Sequence, residues 1–214
     1  VKLYTYYRSS AAYRVRIALN LKGIGYEAIP VHLRRGEQRA GDYRAINPQG
    51  LVPTLADGET VIAQSLAIIE YLEETHPEPP LLPADPAGRA RVRQLALLVA
   101  CEIHPLNNLK VLTALREDFG ATQAQVNAWY RGHVERGLAA LETLVAGSPM
   151  TGRYCHGEAP TLADLCLVPQ LTNARRYDCD LGICPTLVAI DERCRALDAF
   201  RRAAPEQQPD AEPE

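Results

Sequence analysis

The 214-residue sequence contains no C-x-x-C pair. Its six cysteines, Cys101, Cys155, Cys166, Cys179, Cys184 and Cys194, all fall in the second half. That distribution suits neither a zinc site nor a disulfide framework and fits reduced thiols in a cytoplasmic protein. Like charges never run five in a row, and a net charge of −3 gives no reason to expect nucleic acid or an acidic membrane as partner. No uninterrupted apolar run approaches the roughly 18 residues that suggest a membrane span. The opening Val1 to Tyr6 goes straight into a strand pattern without the apolar core of a signal peptide. There is no internal repeat, and no Ser-His-Asp arrangement is evident. What remains is an apolar content of 47% with 23% charged residues, enough for a core in two modest domains or one large one.

The stretch Asn47 to Ser65 organises the first part of the chain. Two short apolar runs, Thr54 to Ala56 and Val61 to Ala63, flank Asp57-Gly58, a hairpin signal. Pro53 cannot donate to a sheet ladder and belongs at a strand start, so Val52-Pro53 is a candidate cis bond. After Gln64, Ser65 is expected to cap a helix through Leu72, whose first turn suits a carboxylate. Upstream, Lys2 to Tyr6 reads as a strand, Ala11 to Lys22 as a helix stopped by Gly23, and Tyr26 to Leu33 as a second, parallel strand. Arg34 to Ile46 reads as loop with one helical turn. The resulting order, βαβαββα, matches the thioredoxin-like fold, in which Ser9-Ser10 lies beside the Val52-Pro53 turn.

The proline-rich stretch from His76 to Pro86 marks a linker. Everything beyond it is helical in period: Val92, Leu95, Ala96, Val99 and Ile103 keep one face of a helix kinked at Pro105. Val126, Tyr130, Gly137 and Leu141 belong to a second stripe. Thr161 to Asp164 resembles a capping box at the start of a third helix. Shorter helices are expected at 187–197 and 198–203. The predicted organisation is therefore an α/β domain over 1–77, a linker over 78–86, an all-α domain over 87–204 and a disordered tail over 205–214.

Three groups of residues are candidates for chemistry. Ser9 and Ser10 follow the first strand and open a helix, where a hydroxyl and the helix N-terminus both favour a bound thiolate. As an isolated pair they are better read as helix caps, and it is their place after the first strand and beside the Val52-Pro53 turn that favours the ligand reading. Arg8 adjoins them, and with Arg175 and Arg176 offers the guanidinium fork that suits carboxylates. His104 and Asn108 share one helical face at i, i+4 spacing, which is also the spacing of an ordinary helix-helix contact.

On these motifs the chain resembles the zeta-class glutathione transferases, the group that includes maleylacetoacetate isomerase and the maleylpyruvate isomerases. The resemblance spans about residues 2 to 204. It rests on Arg8-Ser9-Ser10 with Arg14 to Leu19, Asn47 to Pro53, Gln64-Ser65, His104 to Leu109, Thr161 to Gln170 and Asn173 to Tyr177. It implies glutathione as cofactor and Ser9 as hydroxyl donor to its sulfur, with Ser10 in support. It implies that the Val52 backbone pairs with the cysteinyl part across cis-Pro53, and that Gln64 and Ser65 hold the γ-glutamyl carboxylate. Gln49, His104 and Asn108 would line the rest of the cleft, while Arg8 and Arg176 would receive the carboxylates of a small dicarboxylic keto acid. The expected reaction is cis-trans isomerisation by thiolate addition, rotation and elimination, in a cytoplasmic homodimer with no metal, nucleic acid or membrane partner. Leu109 favours maleylacetoacetate over the more compact maleylpyruvate. Conjugation or dehalogenation of small α-haloacids is an alternative on the same scaffold, and a non-catalytic interaction module a remoter one. One departure stands out: the family often has Ser-Ser-Cys where this chain has Ser9-Ser10-Ala11.

Overall fold

Leu3 and Thr5 are buried while Lys2 faces out, and this alternation makes Lys2–Thr5 the first strand, β1. In the computed structural model, which describes residues 1–212, β1 leads into helix α1 (Ser10–Leu21). The side chain of Ser9 caps this helix by accepting from the Ala12 N–H, and Gly23, at φ +66°, lets the chain leave it. Strand β2 (Glu27–Pro30) lies parallel to β1. The segment expected as loop holds two 3₁₀ turns, Leu33–Arg35 and Glu37–Arg39, and the short helix α2 (Gly41–Ile46). Strands β3 (Thr54–Asp57) and β4 (Thr60–Ala63) form the hairpin, followed by helix α3 (Ser65–Thr75).

The sheet order is β2-β1-β3-β4, with β3 antiparallel to both neighbours. The hairpin loop is Gly58-Glu59, one residue later than the Asp57-Gly58 signal suggests. Gly58 takes φ +58° at the first loop position, where a II′ turn places glycine. The Val52-Pro53 peptide is cis, as is Glu78-Pro79.

The chain divides into two units, Val1–Pro80 with Arg195–Glu214 and Leu81–Cys194. The first unit thus reclaims the end of the chain. Helix α10 (Asp198–Ala203) packs on α1. The tail expected to be disordered is ordered as far as it is described. Pro205–Gln207 makes a 3₁₀ turn, and the Gln208 Nε2 donates to the carbonyls of Arg202 and Ala204 at 2.9 and 2.8 Å. Asp210 then accepts from the Tyr7 N–H at 3.0 Å, and Glu212 meets His32 and Arg35. Composition predicted disorder because these residues are polar; the partners of Asp210 and Glu212 lie 177 to 203 positions upstream, where no local pattern reveals them. Residues 213 and 214 lie outside the described residues.

The second unit is helical: α4 (Pro86–Leu97), a π-helical stretch Leu98–Ile103, α5 (His104–Asn107), α6 (Leu109–Glu117), α7 (Gln123–Ala146), α8 (Leu162–Arg176) and α9 (Pro185–Arg195). Instead of a simple kink at Pro105, the backbone widens before it, and Ile103 at the end of the widened stretch fills the space left by Gly137 on α7. The joined run Pro86–Glu117 is long and apolar enough, by length and composition, to cross a bilayer, which the uninterrupted apolar runs of the sequence did not suggest. Its buried positions Val92, Leu95, Ala96, Val99 and Ile103 belong to the core of this unit, where α4 packs on α8 and the π-helical stretch on α7.

The capping box at α8 is present. The fully buried Asp164 accepts from the N–H and hydroxyl of Thr161 and from the Cys155 N–H, at 2.7, 2.9 and 2.9 Å. Burial raises its pKa, and the same hydrogen bonds oppose that rise. Asp164→Ala strands three donors in the core and is expected to cost about 3 kcal/mol of stability, measured by urea denaturation. A loss below about 1 kcal/mol would show that the helix start is held by packing alone.

Candidate functional site

In the first unit, β1 delivers the chain to Tyr6 and Tyr7, whose rings pack with Val31, Tyr43 and Val52 in one buried cluster. This cluster makes the segment before Ser9 and the segment before Pro53 two sides of one wall. Burial, reinforced by Tyr7, pushes the Tyr6 phenol up to about 12. The carbonyls of Tyr6 and Tyr7 both accept from the buried Arg16 guanidinium, at 3.3 and 3.1 Å. Arg8 lies over the Tyr7 ring, its Cζ 5.2 Å from the centroid. Ser9 is half-exposed at the N-cap of α1, whereas Ser10 is buried as the first helical residue. The Ala12 N–H occupies an acceptor position of the Ser9 hydroxyl at 3.2 Å, which leaves its proton to donate outward.

The Asn47 to Ser65 stretch is built around the buried Asn47 and Tyr43. The Asn47 amide donates to the Leu51 carbonyl and the Thr54 hydroxyl at 2.8 and 3.2 Å, and the Tyr43 hydroxyl donates to the same carbonyl at 2.5 Å. Gly50 sits at φ +60° with its Cα against the Gln38 carbonyl; a Cβ would come within 2.8 Å of that oxygen. This scaffold presents Val52, whose backbone N–H and C=O enter no backbone hydrogen bond among the described residues. An extended peptide backbone is the natural partner for such a residue.

At the other end of the hairpin, the cap of α3 is Gln64, not Ser65, which is the first helical residue. Gln64 holds φ +72°, costly for a non-glycine residue, and provides no side-chain cap to the first-turn N–H groups. Its side chain instead donates to Gln49 Oε1 at 2.9 Å. The Ser65 hydroxyl accepts from Arg14 at 3.2 Å. An uncapped helix start beside a buried serine is suited to an anion. The first unit therefore carries a hydroxyl donor, an unpaired strand-like backbone and an anion-binding helix start, a set that fits a small thiol peptide with a free carboxylate.

In the second unit, the Asn108 Nδ2 lies 3.3 Å from His104 Nε2, so these two side chains do meet. They are not on one helix: Asn108 ends α5 and caps α6, its Oδ1 accepting from the Lys110 N–H. Arg175 and Arg176, adjacent on α8, part company. Arg175 forms an ion pair of 2.6 Å with the fully buried Asp191 on α9, while Arg176 is exposed at the helix end. Arg14, Arg16, Asn47 and Asp210 were given no role by sequence reasoning. The first three sit inside quoted motifs, but nothing in the motif separates a framework residue from a ligand-binding one.

Residues 3–80 match the model of the glutathione S-transferase N-terminal domain, and residues 111–203 that of the C-terminal domain. The chain is 52% identical to a maleylpyruvate isomerase of a Ralstonia species, covering 99% of this chain and 100% of that one. It is 53% identical to a maleylacetoacetate isomerase of Rhizobium meliloti, covering 96% of each. Among solved structures it is similar to a maleylacetoacetate isomerase from Methylobacterium extorquens with bound malonate and glutathione. That match has a TM-score of 0.97 and 46% identity, and covers all of both chains.

The contrast between the paired arginines is testable on stability alone. Arg175→Ala removes the ion pair of a carboxylate with no solvent exposure and is expected to cost about 3 kcal/mol. Arg176→Ala is expected to change stability by less than about 0.5 kcal/mol. Equal effects in chemical denaturation would contradict the division.

Proposed function

Because the chain belongs to the zeta class of the glutathione S-transferase family, we propose that it is a glutathione-dependent isomerase converting maleylacetoacetate to fumarylacetoacetate. The observation that carries this reading is Ser9: half-exposed, at the N-terminus of α1, with one acceptor position occupied by the Ala12 N–H and its proton available for a thiolate. Bound glutathione supplies a nucleophilic thiol that adds reversibly to an activated cis double bond and so permits rotation about it. Ser9 lowers the pKa of that thiol by donating to the thiolate form, and the α1 N-terminus acts in the same sense. Ser10, buried behind it, supports the helix start. Val52 pairs its backbone with the peptide beside cis-Pro53, and Gln64 and Ser65 hold the γ-glutamyl carboxylate. Gln49, His104 and Asn108 serve as further binding residues. Arg8 and Arg176 take the substrate carboxylates, for which the bidentate guanidinium is suited. Exposed Leu109, at the start of α6, supports maleylacetoacetate over maleylpyruvate as the better substrate. A homodimer in the cytoplasm completes the reading; six cysteines without a disulfide suit a reducing compartment.

Ser9→Ala is expected to raise the pKa of bound glutathione, read from thiolate absorbance, by about one to two units, the equivalent of one hydrogen bond to a charged group. Glutathione affinity should stay within a few-fold. An unchanged thiol pKa would transfer the role away from Ser9. Steady-state assays with maleylacetoacetate, maleylpyruvate and dichloroacetate test the substrate, with the highest kcat/KM expected for the first. Faster turnover of maleylpyruvate would reverse the preference, and turnover of dichloroacetate alone would remove the isomerase reading.

A further inference from the structure

The proposed anion site contains a cation that no motif assigns. Arg14 lies on α1, is 2% exposed, and its Nη1 donates to the Ser65 Oγ at 3.2 Å. A guanidinium has donors and no acceptor, while a serine hydroxyl has one proton and two acceptor positions. The contact therefore has only one possible polarity: Arg14 donates and Ser65 accepts. The Ser65 proton cannot return to Arg14, and among the described residues the hydroxyl donates to no other group. It is left for an acceptor from outside the protein, at a helix start that Gln64 does not cap. A hydroxyl whose oxygen accepts from a cation is also a stronger donor than a free one.

We propose that Arg14 is a positioning residue for the carboxylate-binding end of the glutathione site, orienting and polarising the Ser65 hydroxyl toward the γ-glutamyl α-carboxylate. This rests on the reading of the first unit as a glutathione site. Arg14 acts through Ser65, so its effect belongs to one functional group of the ligand and to binding instead of the chemical step. Loss of Arg14 raises KM for glutathione and leaves kcat at saturating glutathione within two-fold. The same argument makes Arg14 and Ser65 one unit, so their substitutions are non-additive.

The test compares two ligands on the same proteins by calorimetry: glutathione, and γ-aminobutyryl-cysteinyl-glycine, which lacks only the α-carboxylate. Arg14→Met is expected to weaken glutathione about ten-fold, equivalent to about 1.4 kcal/mol, and to leave the analogue within two-fold of wild type. Arg14→Lys keeps the charge but loses the fork, and shows the same ligand selectivity with a smaller loss. It provides the measurement should Arg14→Met fail to fold. Arg14→Met with Ser65→Ala should lose little more than Ser65→Ala alone. Equal weakening of both ligands, or additive losses in the double variant, would overturn the proposal and leave Arg14 a framework residue. Failure of the wild-type protein to bind glutathione would instead overturn the functional reading beneath it.

Discussion

A single buried guanidinium, that of Arg16, ties the first unit together. Its Nη1 donates to the Thr5 hydroxyl and the Tyr6 carbonyl, its Nη2 to the Tyr7 carbonyl and its Nε to the Ala203 carbonyl, at 2.9 to 3.3 Å. Removing a cation from water is expensive, and burial brings the Arg16 pKa down to about 10, with the Asp210 charge opposing the fall. It remains charged at neutral pH, and its hydrogen bonds are what make that tolerable. The consequence is geometric. The two carbonyls immediately before Arg8 and Ser9 are pinned from one side by Arg16, and the Tyr7 N–H is held by Asp210. The loop that presents Ser9 and the return of the chain through α10 are therefore one structural problem with one solution.

The opposite end of the hairpin is governed by strain. Gln64 occupies a backbone conformation that costs about 1 to 3 kcal/mol for a residue with a side chain. The conformation lets β4 turn into α3 without a capping side chain, while the Gln64 carbonyl accepts from the Ile68 N–H and its amide is engaged by Gln49. A glycine at this position would relieve the strain but forfeit the Gln49 contact. Strain at Gln64 and desolvation at Arg16 are costs located beside the two ends of the proposed ligand, where the rest of the unit provides the compensation.

What was legible in the sequence follows from how local each signal is. The βαβαββα order, the hairpin, the helix stop at Gly23 and the capping box from Thr161 to Asp164 depend on residues within a few positions of one another, and all are present. Hydroxyl, proline and helix-start signals are equally local, and they single out Ser9, Val52 and Gln64 as candidates on which the proposed site rests. The capping role of Ser65 was misplaced by one residue, since serine is a far better cap than glutamine and only the strained backbone reveals the exchange. The ordered tail and the π-helical widening before Pro105 were hidden for a different reason. Asp210 meets Tyr7 across 203 positions, and Ile103 fits Gly137 from another helix. Such contacts have no signature in periodicity.

The two serines assigned to the ligand share a polarity that their chemistry explains. A hydroxyl that can rotate between donating and accepting stabilises a thiol nearly as well as a thiolate, and so shifts neither strongly. The Ala12 N–H on Ser9 and the Arg14 guanidinium on Ser65 each occupy one of the two acceptor positions of a hydroxyl whose proton has no acceptor among the described residues, which biases each hydroxyl toward donating outward. On the proposed reading this bias favours the charged form of each ligand group, a thiolate at Ser9 and a carboxylate at Ser65. The donor to Ser9 is a backbone N–H of the first helical turn, independent of the side chain at position 11. On the same proposed reading, Ala11, where the family often carries cysteine, is compatible with thiolate chemistry: the bias of the Ser9 hydroxyl comes from helix geometry, and a second thiol is not needed to establish it.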